Sequence, residues 1–544
     1  ARADGNGEGG FIGSPEAVST SRAEASATGI AGGEGADWIY TLGFIHAEAQ
    51  AIADADSDAD VFAGNPRAES TTRIGATATG IDAGTGSNGV WNGGTVEAVT
   101  SIETRPYAAA DSDIASNRAD SSSDLAINTV GIRSGAESDR VVNAMGGAVN
   151  VDVTAIATPF ATSDESSTAQ VGGGSDSPTI IQAMGIDVGD GDNAIANDGP
   201  VTVNANVVAR PRAESRSLTL TATSRAYLSL LTDITGLKAG TGDDQVINAN
   251  VIDVAATVDG TAYAGPRSGE GSHTDHAYAE VGRPDRPLDL QVAGIDAQAG
   301  DNEIVNFGRI TAVLQNEESR PITAQAHADT DTTRNSAEAK VGFVADAVGI
   351  RSGAGNDDIT NAVDAAIAVH SNLAVVANAR ADEDASAVAG GEADSAWVLN
   401  SHASGIDAGE GRNRVTNFGN IDVAAIEDIH AVASASSTTM TASADAQINA
   451  SADVVGMRTG AGDDVLGSFG EMTILAQVDG LVEALERNHT NNATAGSEDA
   501  FLTAEAKGID AGGGQNNIFV QGRLETTAEA ISESYAEAEC DTCT

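Results

Sequence analysis

Aromatic residues are scarce in this sequence: Phe, Tyr and Trp make up 3% of 544 residues. Large rings usually fill wide globular cores, so their scarcity argues against one. Basic residues are also few, 28 Lys and Arg against 80 Asp and Glu, for a formal charge of −52. That balance argues against nucleic acid as a partner, because phosphate binding rests on Lys and Arg. It argues against anionic membrane surfaces for the same reason. No run of 18 apolar residues occurs, so membrane insertion through a helix is not expected. Cysteine is limited to Cys540 and Cys543. A CxxC without a second Cys or His pair beside it is a weak metal signal. A local or interchain disulfide suits an exported protein, and two incidental thiols are the alternative. No signal peptide is visible, and Ala1 stands where a Met would, as in a processed mature end or a trimmed chain. No G-x-S-x-G, H-E-x-x-H, P-loop or Rossmann motif occurs in its required context. Carboxylates are too numerous for any pair to be singled out as catalytic, so no enzymatic activity is expected.

Small residues are plentiful, with 62 Gly and abundant Ala, and hydrophobic content is 41%. That is too apolar for a disordered acidic chain. It suits a thin core between closely stacked strands. A charge this large repels itself unless cations neutralise it, so divalent metal or high salt is the natural remedy. A halophilic acidic surface is the alternative.

One loop motif recurs through the whole chain in two versions, GIDAGTGSNGV from Gly80 and GIRSGAGNDDI from Gly349. Copies start at Gly29, Gly80, Gly131, Gly185, Gly236, Gly294, Gly349, Gly405, Gly456 and Gly508. A near-fixed period marks a repeat architecture in which neighbouring units bury one another's apolar faces. The expectation is one repetitive unit over residues 1–544, with 1–28 a degraded N-terminal partial repeat that opens on a degraded copy of the loop, ARADGNGEGGFIG, and 525–544 a tail strand carrying the CxxC.

With the first Gly as position zero, position one is apolar in all ten copies and so is position ten, from Ile39 to Ile518. Position twelve is Asn in seven consecutive copies, Asn92, Asn143, Asn197, Asn248, Asn306, Asn361 and Asn417. Identical side chains at identical offsets point to in-register stacking with an amide ladder. Position two alternates in sign: Asp82, Arg133, Asp187, Lys238, Asp296, Arg351, Asp407, Arg458, Asp510. If each repeat is one coil, neighbours lie about 4.8 Å apart, and opposite charges on adjacent strands contribute about 0.2–1 kcal/mol per pair. Two coils per repeat would separate these charges by a layer, and the sequence leaves that open.

Between the loops, Ala recurs at almost every second position, as in HAEAQAIADADSDAD from His46 and TASADAQINASADVV from Thr441. This is the period of a strand with one small-residue face. VTVNANVVA from Val201 and AVNVDVTAIA from Ala148 read the same way. TRPY from Thr104 and GRPDRP from Gly282 read as turns. Each repeat is thus Gly-rich loop, short strand, turn, long strand, turn, long alternating strand. The fold class is all-β, a parallel β-solenoid (β-helix) of about ten repeats with Gly-rich Asp/Asn loops stacked on one edge.

In the second loop version the pattern is G-x-G-x-D-x-apolar, as in GEGADWI from Gly33, GTGDDQV from Gly240, GAGNDDI from Gly353 and GAGDDVL from Gly460. Gly permits tight backbone geometry, and Asp with backbone carbonyls offers the hard oxygens that Ca²⁺ takes. The pattern resembles the calcium-binding nonapeptide of the RTX (hemolysin-type) family. The resemblance implies bound Ca²⁺, with Asp37, Asp244, Asp357 and Asp464 as ligands and Asp243, Asn356 and Asp463 as neighbours. It is confined to the loops. The copies are not in tandem, the first version has Asn88, Asn193, Asn302, Asn413 and Asn516 in the Asp place, and the copy from Gly135 has Glu137 for its second Gly. A Gly-Asp turn without an ion is the alternative. His273 and His276 beside Asp275 read as a solvated insertion more than a metal pair. Sequons at Asn449, Asn488 and Asn492 would matter only in a host that glycosylates them.

These readings suggest a secreted structural protein, assembling head-to-tail with copies of itself into an extracellular filament, sheath or surface layer. The alternative is a calcium-dependent adhesin or stalk that binds a cell-surface polysaccharide. A β-helix lyase or epimerase would need a basic cluster that the sequence does not offer.

Overall fold

Ala and the β-branched residues alternate with polar ones through most of the chain, and the computed structural model turns each such stretch into a strand. It describes residues 2–8, 14–61, 64–112, 117–172, 179–215, 222–266, 276–282, 288–317, 320–328, 335–382, 384–389, 399–437, 442–488 and 494–540. The protein is all-β, with no helix among the described residues. Among the described residues the strands fall into three sheets of 14, 15 and 10 strands. Each repeat contributes a rung: a four-residue strand such as Trp38–Thr41, a long strand such as Phe44–Val61, and a third such as Arg67–Asp82.

Each strand pairs in parallel with its counterpart one repeat further on. Ile39 lies opposite Val90, Phe44 opposite Thr95, and Ile81 opposite Ile132. Consecutive repeats are therefore direct neighbours, one rung per repeat, and the two-coil alternative is set aside. Short strands follow one another in chain order through the third sheet, from Trp38–Thr41 to Asn517–Val520, each joined to the next by a crossover through the other two sheets.

The core is the inward face of every strand. Ala47, Ala49, Ala51, Ala53, Ala55 and Ala59 are all buried on one strand, with His46, Glu48 and Gln50 between them turned out. Position one is sealed in the interior rungs, from Ile81 to Met457. Position zero must be Gly for a packing reason. A Cβ on Gly294 would sit 2.2 Å from Ile310 Cγ2 and 2.6 Å from the Gly349 carbonyl oxygen, and the same collision recurs at Gly80, Gly185 and Gly405.

One expectation is corrected. TRPY is not a turn: Thr104–Tyr107 lies inside the strand Thr95–Ser112, with Pro106 opposite Ala55. Proline's fixed φ is compatible with an extended strand, and only one ladder N–H is lost. In the next two rungs Pro159 and Pro211 fall at the breaks before Phe160–Ser163 and Arg212–Ser215. In the opening segment Arg2–Glu8 is a strand paired with Asp54–Asp60, in the place the long strand of a preceding rung would take, and residues 9–13 lie outside the described residues. Residues 283–287 of GRPDRP, His273, Asp275, Asn492 and Cys543 lie outside the described residues, as do the side chains of Asn488 and Cys540. Asn449 lies on the strand Ser443–Arg458, and His276 Nδ1 is 2.8 Å from Ser336 Oγ.

Candidate functional site: the stacked glycine-rich loops

The loops lie between the 15-stranded and 10-stranded sheets, and their glycines give them their shape. Gly33, Gly84, Gly189, Gly240, Gly353 and Gly409 all have positive φ, and so do Gly35, Gly86, Gly191, Gly242, Gly355 and Gly411 two residues on. Where the pattern is broken, the backbone is not: Glu137 keeps φ 103° and Gln298 keeps φ 58° in the glycine places.

This shape aligns position eight of every loop. Asp37, Asn88, Asp139, Asn193, Asp244, Asn302, Asp357, Asn413, Asp464 and Asn516 form one column in which acid and amide alternate without a break. Each N–H donates to the Oδ1 of the next rung: Asp37 to Asn88 at 2.9 Å, Asn193 to Asp244 at 2.8 Å, Asn302 to Asp357 at 2.9 Å, Asp464 to Asn516 at 2.9 Å. In the Asn rungs the remaining atom is a donor. Asn193 Nδ2 reaches the carbonyl oxygens of Gly189, Gly191 and Ala239 at 3.0, 2.7 and 2.9 Å. In the Asp rungs the same slot holds a carboxylate oxygen that cannot donate. Oδ2 of Asp37, Asp244 and Asp464 is buried without a hydrogen-bond partner.

Position three responds to this. In the Asn rungs it is Ala83, Val188, Ala297, Ala408 and Ala511; in the Asp rungs it is Gly32, Ser134, Ala239, Ser352 and Thr459. Ser352 Oγ donates to Asp357 Oδ2 at 2.9 Å. Asp244 has Ala239 there instead. Burial, with Asp192 and Asp243 nearby, pushes the Asp244 carboxyl up to about 7. Burial also lifts Asp357, to about 6, against the bonds from Asn302 and Ser352.

Asp243, Asn356 and Asp463 lie in a second, solvent-facing column at position seven. There the ladder runs the other way: Asp301 N–H donates to Asp243 Oδ1 at 2.9 Å, Arg412 N–H to Asn356 Oδ1 at 3.1 Å, and Gln515 N–H to Asp463 Oδ1 at 2.9 Å. The seven residues singled out from sequence thus fall into two columns of one loop edge, four inner and three outer. Asp139 belongs with the inner four. The loss of its loop's second Gly hid it, although the Asp/Asn alternation at position eight was readable.

No family model, characterised protein or solved structure matches this chain. The loop edge therefore has to be judged on its own chemistry. Among the described residues no three His, Cys, Asp or Glu side chains come together as a metal cluster. Inner carboxylates are separated by an Asn rung. A hard cation at this edge would be held by one carboxylate and several loop carbonyl oxygens, a donor set that suits Ca²⁺. The unpartnered Oδ2 atoms fit such an ion.

The charged column at position two is adjacent as its alternation requires, with Lys238 between Asp187 and Asp296, and Arg351 between Asp296 and Asp407. Each cation also pairs along its own strand, Lys238 with Asp233 at 3.0 Å and Arg351 with Asp346. Burial alone would lower Lys238, yet Asp233, Asp296 and Asp187 together keep it raised. Position twelve forms the expected amide ladder, six consecutive Nδ2 to Oδ1 bonds of 2.8–2.9 Å from Asn92 to Asn417.

Proposed function

We propose that this protein is an extracellular structural β-solenoid whose rungs continue from one copy into the next, building a filament, sheath or surface layer that calcium stabilises. The observation that carries this reading is the parallel rung-on-rung pairing, in which each short strand of the 10-stranded sheet lies on its counterpart one repeat on. Like stacked on like is a geometry that a further copy can extend. A heterologous contact that repeats without closing gives a filament.

Calcium enters on three supports: the loop resemblance to RTX nonapeptides, the unpartnered inner carboxylate oxygens, and a charge of −52 that needs neutralising. The test is sedimentation velocity of the full chain across a concentration series, in calcium and in EGTA. Growth of high-mass species in calcium supports the reading. A monomer at the highest concentration in both conditions contradicts it.

A further inference from the structure

We infer that the outward face of the 10-stranded sheet is a docking surface for the same face of a second copy, so that two molecules lie side by side with their rungs in reverse order. This contact is lateral and independent of the end-to-end reading above.

Positions ten and twelve of each short strand point inward, which leaves positions nine and eleven on the outer face. Position eleven carries no charged residue in any of the ten copies. Trp91, Val142, Ala196, Ile247, Val305 and Thr360 follow one another there through six consecutive rungs. Position nine carries four charges that cancel, Arg140 and Arg414 against Glu303 and Asp358. The neighbouring sheet differs: its strand Phe44–Val61 alone turns Glu48, Asp54, Asp56, Asp58 and Asp60 outward. A molecule of charge −52 repels its own copies, and that repulsion is least across a face with no net charge. Val142, Ile247 and Val305 are only half-buried on this face, so apolar area is left for a partner to cover.

The charges at position nine fix how two such faces meet. Among the described residues the Arg140 side chain has no ion-pair partner, and its column neighbours are the uncharged Gly89 and Ala194. Asp358 has none either, whereas Glu303 already accepts from Gln245 Nε2 at 2.8 Å. Arg140–Asn143 lies two rungs before Gln245–Asn248, and Asp358–Asn361 two rungs after it. A two-fold axis running along Gln245–Asn248 therefore brings Arg140 of each copy onto Asp358 of the other, one contact made twice. The same axis puts Ile247 on its own mate, Ala196 against Val305, and Val142 against Thr360. Moving the axis half a rung toward Glu303–Asn306 would set Arg140 against Arg414, which is repulsive.

Nine rungs overlap in this arrangement, from Trp38–Thr41 to Val465–Ser468. At about 4.8 Å per rung and about 3.3 Å per residue, four-residue strands give about 550 Å² per copy. Both copies together reach about 1,100 Å², enough for a specific contact at the lower end of the range. Two sheet faces pack in this way when their side chains interdigitate.

The test is cross-linking of the full chain in a Cys540→Ser, Cys543→Ser background, with a short bismaleimide, in EGTA and physiological salt. Ile247→Cys sits on the axis and is expected to give a covalent dimer. Thr360→Cys lies four rungs, about 19 Å, from its mate and is expected to give none. Equal dimer from both overturns the axis, and a monomer from both overturns the contact and leaves the face to another occupant, such as a glycan. Sedimentation of charge variants tests the pairing. Arg140→Asp is expected to weaken the dimer several-fold, and adding Asp358→Arg is expected to restore it. A double variant as weak as the single one would contradict the arrangement.

Discussion

Glu137 carries a cost that its neighbours in the column avoid. Its φ of 103° is the glycine region, and a side chain there is strained. Glu137→Gly should raise stability by about 1 kcal/mol, part of the relief being offset by the looser unfolded chain; urea denaturation of the two proteins checks it. The opposite change at Gly294 should be severe. An Ala Cβ meets both a core methyl and the next rung's backbone, so Gly294→Ala should cost about 3 kcal/mol. Glu427 is the unusual core residue. It is fully buried between Leu373 and Val478 of the adjacent rungs, with Ser401 as its polar neighbour, and burial holds its carboxyl well above the ordinary range. A raised acid stabilises the fold fully below its unfolded value of about 4.3 and loses that contribution as pH rises through the folded value. Glu427→Gln should therefore remove part of the decline in stability toward alkaline pH, and at pH 8 should be more stable than the wild type by about 1–3 kcal/mol. Parallel pH curves for the two proteins would contradict this.

At the scale of the column, the alternation at position two is a register device. Arg351→Glu would place Asp296, the new carboxylate, Asp407 and Asp346 together. The expected loss is about 1–3 kcal/mol, discounted from a fully buried pair because the guanidinium is partly exposed; thermal melts measure it, with Arg351→Lys as the mild control. Asp244→Asn tests the inner ladder. It replaces an unpartnered Oδ2 with a donor in the slot that Asn193 and Asn302 already fill. Without calcium the variant should be more stable at neutral pH. In calcium it should bind less metal, read by isothermal titration. A variant that binds calcium equally well would remove Asp244 from the ligand set.

Much of this column logic was legible in the sequence. The position-two signs and the Asn run at position twelve are identities at fixed offsets, and stacking makes such offsets into contacts. The strand assignment of Ala148–Ala157 and Val201–Ala209 follows from alternation together with their Val content. What stayed hidden was relational. Whether Asp82 touches Arg133 depends on coils per repeat, which is a property of pairing and not of residues. Asp139 was passed over because its loop lacks a Gly, yet backbone φ is held there by the neighbouring rungs. TRPY misled because Pro punctuates isolated strands more strongly than strands fixed on both sides. The pairing of Ser352 with Asp357, and the absence of a hydroxyl beside Asp244, was readable as a correlation between positions three and eight.

For the whole molecule, the three sheets make stability a sum over rungs and their interfaces. Interior rungs lend order to loops that break the pattern, as at Glu137 and Gln298. The central claim is that this order crosses from one copy to the next. Cryo electron microscopy of the purified chain, in calcium and again in EGTA, tests it most directly. The account predicts filaments in calcium whose layers, about 4.8 Å apart, continue through each joint, and filaments that loosen in EGTA. Isolated rods of one copy in both conditions would contradict it.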